Sequence, residues 1–245
     1  MDVLSAAAAS GMRARLESLD TLANNLANVS APGFKADREF YNTYLAPEAA
    51  DSTAGGIGNI MPVVERQWTD LSQGTLTPTG NPLDVALKSN GFFVAISPNG
   101  PLLTRDGGFQ LSPQGILQTQ DAYPVRGQDG NPIQVDPAKP IEITPDGDVR
   151  QDGQTVSRIE IVDTKEPGGL SKHGSNYFQC SSTLLNPATD PQVQQGSLEA
   201  SNLQPAQSAV RLITVMRQFE MLQRAAAVGA DMSRRALDEV AKVTG

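Results

Sequence analysis

The stretch ASGMRARLESLDTLANNLA, residues 9–27, decides the fold. Its apolar positions Ala9, Met12, Leu16, Leu19, Ala23 and Leu26 step by 3, 4, 3, 4 and 3. That spacing predicts a helix with a heptad seam along one face, about 37 Å long over some 25 residues. Asn24, Asn25 and Asn28 weaken its last turns, and Ala31-Pro32-Gly33 ends it, because proline lacks a donor and glycine releases the chain. The other end repeats the device: Leu212, Val215, Phe219, Leu222 and Ala226 step by 3, 4, 3 and 4, and Ala236, Val240 and Val243 continue the stripe. Ser208 reads as the N-cap of this second helix, and Gly229 is its interior weakness. All 17 prolines lie between Pro32 and Pro205.

Between the helices the period changes to two. Val85, Leu87 and the run Phe92-Phe93-Val94-Ala95-Ile96 read as strands around an Asn90-Gly91 turn. Ser97-Pro98-Asn99-Gly100, Ser112-Pro113-Gln114-Gly115 and Thr144-Pro145-Asp146-Gly147 share one turn chemistry, with proline presetting φ and glycine closing the turn. They predict successive hairpins of an antiparallel sheet. Residues 45–61 read as a mobile linker and residues 164–176 as a polar loop. The expected fold class is mixed and mainly β. An antiparallel β-rich central domain (76–205) follows an extended linker region (32–75). The long terminal α-helices (1–31 and 206–245) pair as a coiled-coil-like discontinuous module. A helical stripe can simply be buried in its own domain. Two stripes at opposite ends of one chain point instead to a helix pair that seeks neighbours.

Composition bounds the function. The chain has 245 residues, 39% hydrophobic and 5% aromatic, with a net charge of −8. Phosphate binding needs a basic face, so nucleic acid is not the expected ligand. Residues 1–28 carry −1 and residues 206–245 carry +2, leaving −9 for the segment between. Near-neutral ends can pack on one another without strong repulsion. A single cysteine, Cys180, allows no intrachain disulfide. No apolar run approaches the ~18 residues of a membrane span, and the N-terminal stretch lacks the charge and apolar pattern of a cleavable secretion signal.

Candidate chemistry is thin. His173 is the only histidine, so a His/Cys metal site is not expected, and no Gly-x-Ser-x-Gly elbow accompanies it. The Asp-Gly pairs at 106–107, 129–130, 146–147 and 152–153 do not match calcium-loop spacing and read as hairpin turns. The expectation is no enzyme, no cofactor and no metal.

Ala23-Asn24-Asn25-Leu26-Ala27-Asn28-Val29 and Pro32-Gly33-Phe34-Lys35 resemble the bacterial flagellar basal-body rod and hook family. So do Thr79-Gly80-Asn81-Pro82-Leu83-Asp84-Val85-Ala86-Leu87, Gly91-Phe92-Phe93, Leu103-Thr104-Arg105-Asp106-Gly107 and Gly196-Ser197-Leu198-Glu199-Ala200-Ser201-Asn202. The stretches follow the family's order and span both ends and the centre. Arg217-Gln218-Phe219-Glu220-Met221 resembles the proximal-rod branch. Leu103 stands where the family commonly shows an aromatic. The resemblance implies a structural axial subunit in the periplasmic rod, exported by the flagellar type III apparatus without a cleavable signal. Its partners would be copies of itself and other axial proteins, with no nucleic acid and no membrane insertion. The implied subunit interface comprises Met12, Leu16, Leu19, Ala23, Asn24, Asn25, Leu26 and Asn28 on the first helix and Leu212, Val215, Phe219, Leu222 and Ala226 on the second. A distal-rod or hook-basal-body paralogue is the nearest alternative reading, and a secreted β-rich binding module the next.

Overall fold

A computed structural model describes residues 3–45 and 60–243. The chain divides into two compact units, one from residues 1–27, 37–70 and 204–245, the other from 28–36 and 71–203.

The first unit contains helix α1, Val3–Ala27, and helix α2, Pro205–Val243. Pro205 opens α2, where a fixed φ and a missing N–H fit the first helical position. Ser208 is not its cap: it lies inside the first turn, its N–H donating to the Gln204 carbonyl at 3.0 Å. Proline at the first helical position moves the start upstream of the expected residue. Between the helices in sequence, Asp37–Leu45 and Ile60–Thr69 pair as an antiparallel hairpin. Its register runs from Asp37↔Thr69 to Leu45↔Ile60, with a bulge between Phe40 and Tyr41. The segment read as linker thus holds long paired strands, while residues 46–59 of the expected mobile stretch lie outside the described residues. α1 packs on α2 and on this hairpin.

The second unit is β-rich. Its largest sheet has six strands in the order Ser171–His173, Tyr177–Gln179, Gly100–Thr104, Phe92–Ser97, Ile161–Thr164 and Leu185–Pro187, all neighbours antiparallel. The polar loop expected over 164–176 therefore supplies an edge strand. Phe92-Phe93-Val94 reads as a continuous apolar run because the strand is covered on both faces. Phe93 joins Val85, Leu87, Phe109, Leu117 and Val149 in one core. Phe92 and Val94 join Leu103, Val162 and Phe178 in another. Aromatic contacts serve both cores, Phe93–Phe109 edge-on at 5.2 Å and Phe92–Phe178 tilted at 5.5 Å between centroids.

The glycine-closed turns form where the sequence places them. Gly115 N–H donates to Ser112 O and Gly147 N–H to Thr144 O, each at 2.9 Å. The three hairpins belong to three different sheets, however, not to one. Asn90-Gly91 does not join a hairpin: Val85–Leu87 pairs with Val193–Gln195, whereas Phe92–Ser97 pairs with Gly100–Thr104. Distant chain segments outcompete the local turn there. Gly91 has φ +122°, and a Cβ on it would stand 3.0 Å from Val162 O, so glycine serves a close strand approach rather than a reversal.

Candidate assembly surface

In the helical unit, the buried face of α1 is formed by Gly11, Ala14, Ser18, Leu22 and Asn25. These residues are small or polar apart from Leu22, and small side chains let the neighbouring elements approach closely. A Cβ built on Gly11 would lie 3.5 Å from Leu222 Cδ1 of α2, at ordinary contact distance. Polar side chains then fasten α1 to the hairpin. Ser18 Oγ donates to Glu39 Oε2 at 2.7 Å, and Gln67 Nε2 donates to Thr21 Oγ1 at 3.0 Å. Asn25 makes a two-way link to one backbone residue: its Nδ2 donates to Asp37 O at 2.7 Å, and its Oδ1 accepts from Asp37 N at 2.9 Å.

The interface residues expected from the sequence fall on different faces. Met12, Leu19 and Leu26 are half-buried, Leu16 is 48% exposed, and Ala23 and Asn24 are exposed. Asn25 is buried within its own unit, and Asn28 begins the other unit. On α2, Val215 is buried, while Leu212, Phe219, Leu222 and Ala226 are half-buried on the same side. The α2 stripe is thus the inward one, whereas the α1 heptad seam is divided, with Ala9, Leu16 and Ala23 exposed and Met12, Leu19 and Leu26 half-buried. Asn25→Ala leaves a backbone donor and acceptor of Asp37 without their side-chain partners and will destabilise the helical unit by about 2 kcal/mol. Amide exchange at residues 37–39 reads this directly, and unchanged protection would rule the link out as a determinant.

The β-rich unit contains a cluster that sequence reasoning did not assign. Glu199, fully buried, receives Lys35 Nζ at 2.5 Å on Oε1 and Arg105 Nη1 at 3.2 Å on Oε2. Gly74 N–H also donates to Oε1 at 2.9 Å, and Lys35 Nζ donates to Ser72 O at 2.7 Å. Arg105 lies 5.5 Å over the Phe92 ring. Burial pulls the Arg105 guanidinium below its ordinary pKa, and Glu199 opposes that shift. Around the cluster, Gly33 N–H donates to Glu199 O at 2.7 Å. Lys172 Nζ sits 4.4 Å over the Phe34 ring and donates to Lys35 O at 2.7 Å. Lys35 is thereby bound to segments 37, 137 and 164 positions away. Their only sequence signal is charge set among Gly33-Phe34 and Leu198-Ala200, which by itself does not reveal pairing.

Next to the cluster, Asp106 accepts from Gly108 N–H at 2.9 Å and from Asn176 Nδ2 at 3.2 Å. Burial nevertheless holds its carboxyl above the ordinary range, and nearby Asp121 and Asp84 add to that. The folded state therefore binds this proton more tightly than the unfolded state. The resulting stabilisation is full below the unfolded carboxylate range and is lost as pH rises through the folded value. The melting temperature of the wild-type chain, relative to Asp106→Asn, will rise as pH falls from 7 toward 4. A difference that stays flat across that range would refute the assignment.

His173 is exposed on an edge strand opposite Tyr177, and Cys180 is half-buried. No helix among the described residues is long and apolar enough to cross a membrane.

Three family models match the chain. Residues 6–35 match the flagella basal body rod protein model, residues 86–151 the flagellar hook protein FlgE/F/G D1 domain, and residues 194–239 the flagellar basal body rod FlgEFG protein C-terminal model. The flagellar basal-body rod protein FlgF of Caulobacter vibrioides is 35% identical over 228 residues, covering 92% of each chain. The chain belongs to the flagellar basal-body rod protein family. FlgG of the same organism is 31% identical, covering 87% of this chain and 90% of its own. FlgF of Mesorhizobium japonicum is 30% identical, covering 82% and 83%. The family is a structural one of flagellar rod and hook, not a family of enzymes. Each of the three matched segments of this rod protein contributes one member of the buried cluster: Lys35, Arg105 and Glu199 in turn.

Proposed function

We propose that this rod protein is an axial subunit of the proximal rod, which polymerises through its terminal helices and transmits torque through their packing. The observation that carries the reading is a two-helix unit with apolar faces left bare, in a chain of this family. Leu16, Val210, Ile213, Met216, Met221, Val228 and Met232 are all about half exposed or more. Burying that surface between copies supplies the driving force, and a head-to-tail contact that does not close on a ring extends into a helical tube. Coiled-coil-like pairing of α1 with α2 extends the same reading, supported by their packing and by the 3–4 spacing of the inward α2 stripe. The proximal position is supported by Arg217-Gln218-Phe219-Glu220-Met221 and by the FlgF of Caulobacter vibrioides. Copies of itself and other axial proteins are the partners, the rod in the periplasm is the location, and the flagellar type III apparatus is the export route.

The test is electron microscopy of hook–basal bodies from a strain lacking the gene, beside one complemented with a chain lacking residues 1–28. Rods missing beyond their base in both strains are expected. Intact rods and motility in the deletion strain would overturn the reading.

A further inference from the structure

The chain passes between its two units at 27/28, 36/37, 70/71 and 203/204. At 36/37, two asparagines from opposite ends of the sequence hold adjoining residues. In the β-rich unit, Asn202 Oδ1 accepts from Ala36 N–H at 2.9 Å, and Asn202 N–H donates to Phe34 O at 3.4 Å. In the helical unit, Asn25 Nδ2 donates to Asp37 O and Asn25 Oδ1 accepts from Asp37 N–H. Each grip stays inside its own unit, yet the two grasp residues joined by one peptide bond. The crossing at 70/71 is tied to the same place on both sides. In the β-rich unit, Asn202 Nδ2 donates to Ser72 O and Ser72 Oγ, each at 3.2 Å, and Lys35 Nζ donates to Ser72 O at 2.7 Å. In the helical unit, Thr69 Oγ1 donates to Asp37 Oδ1 and Arg38 Nε to Asp70 Oδ2, each at 2.8 Å.

We infer that Asn25 and Asn202 form a clasp on the Ala36–Asp37 peptide, which couples local opening of the helical unit to that of the β-rich unit. Proteins open locally in separate cooperative segments, and two units joined by bare connections would open separately. Here a residue let go by one asparagine remains within about 3.8 Å of a neighbour that the other still holds. Release of either grip is therefore opposed by its counterpart. Asparagine suits the task because its amide carries both a donor and an acceptor, whereas aspartate only accepts. Under the rod-subunit reading, the clasped peptide is also a covalent path by which load on the helical unit reaches the β-rich unit. The coupling itself does not depend on that reading.

Amide exchange of the full soluble chain tests it in a double-variant cycle, read at residues 38–39 of the helical unit. Asn202→Ala, a change in the other unit, is expected to lower protection there about tenfold, as is Asn25→Ala. The double variant is expected to lose little more than either alone, because the two grips act on one joint. Continued protection of Phe92–Ser97 and Gly100–Thr104 shows that the β-rich unit stays folded. Asn202→Asp keeps the acceptor for Ala36 N–H and decides the matter if Asn202→Ala unfolds that unit. Its protection at residues 38–39 is expected near wild type, and a loss equal to that of Asn25→Ala would overturn the clasp. Unchanged protection at residues 38–39 in a folded Asn202→Ala chain, or losses that multiply in the double variant, would overturn it as well.

Discussion

Glu199→Gln will destabilise the β-rich unit by about 3–5 kcal/mol, because it leaves two buried cations without their countercharge. The Lys35 and Arg105 side chains are 1% and 5% exposed, and the Glu199 carboxylate is the anion that both contact. Glutamine keeps the volume and can still accept from Gly74 N–H, so the loss reports charge rather than shape. The comparison that isolates the effect is the double variant Lys35→Met/Glu199→Met. Removing a buried pair together costs less than orphaning one member, although Arg105 then keeps only the Phe92 ring and the charge of Asp163. Urea unfolding of the soluble chain, followed by tyrosine fluorescence, separates the cases. Equal midpoints for wild type and Glu199→Gln would show that the cluster contributes nothing.

The second large effect is expected from Gly33→Ala, at about 4 kcal/mol or more. Gly33 sits at φ +66°, and a Cβ there would lie 2.3 Å from Asp106 N and 2.4 Å from the Arg105 carbonyl carbon. Both obstacles are backbone, so no side chain can swing aside. The displaced turn would also lose the Gly33 N–H bond to Glu199 O. Gly80 supplies the control, with φ +75° but nothing within 4 Å of its Cβ position. Gly80→Ala therefore pays only backbone strain, about 1–2 kcal/mol. Comparable losses for the two variants would mean that steric conflict at Gly33 is relieved by relaxation.

Much of this architecture was legible in the residues. Periodicities of 3–4 at both ends marked the helices, Ala31-Pro32-Gly33 marked the first stop, and the Ser/Thr-Pro-x-Gly turns marked three hairpins. What escaped was whatever depends on a distant partner. Asn90-Gly91 has hairpin chemistry, yet the strands beside it pair with residues 193–195 and 100–104. The paired strands within 37–69 were hidden because the segment's glycine- and alanine-rich middle suggested a linker, while the strands need each other across it. The seam of α1 was visible, but an apolar stripe does not say whether it faces its own chain or another. The inward face is made by Gly11, Ala14 and Ser18, which hydrophobic periodicity undervalues although small residues permit the closest approach. Lys35, Arg105 and Glu199 lay inside recognisable motifs, but their meeting required the fold to bring three segments together.

The central claim is that this chain is a rod subunit whose two terminal helices build the tube wall. Electron cryomicroscopy of purified hook–basal bodies from the native strain tests it most directly. The account predicts repeated copies of the chain in the proximal rod, with α1 and α2 in the wall. A map in which the rod is fully accounted for by other chains, with no copy of this one, would contradict it.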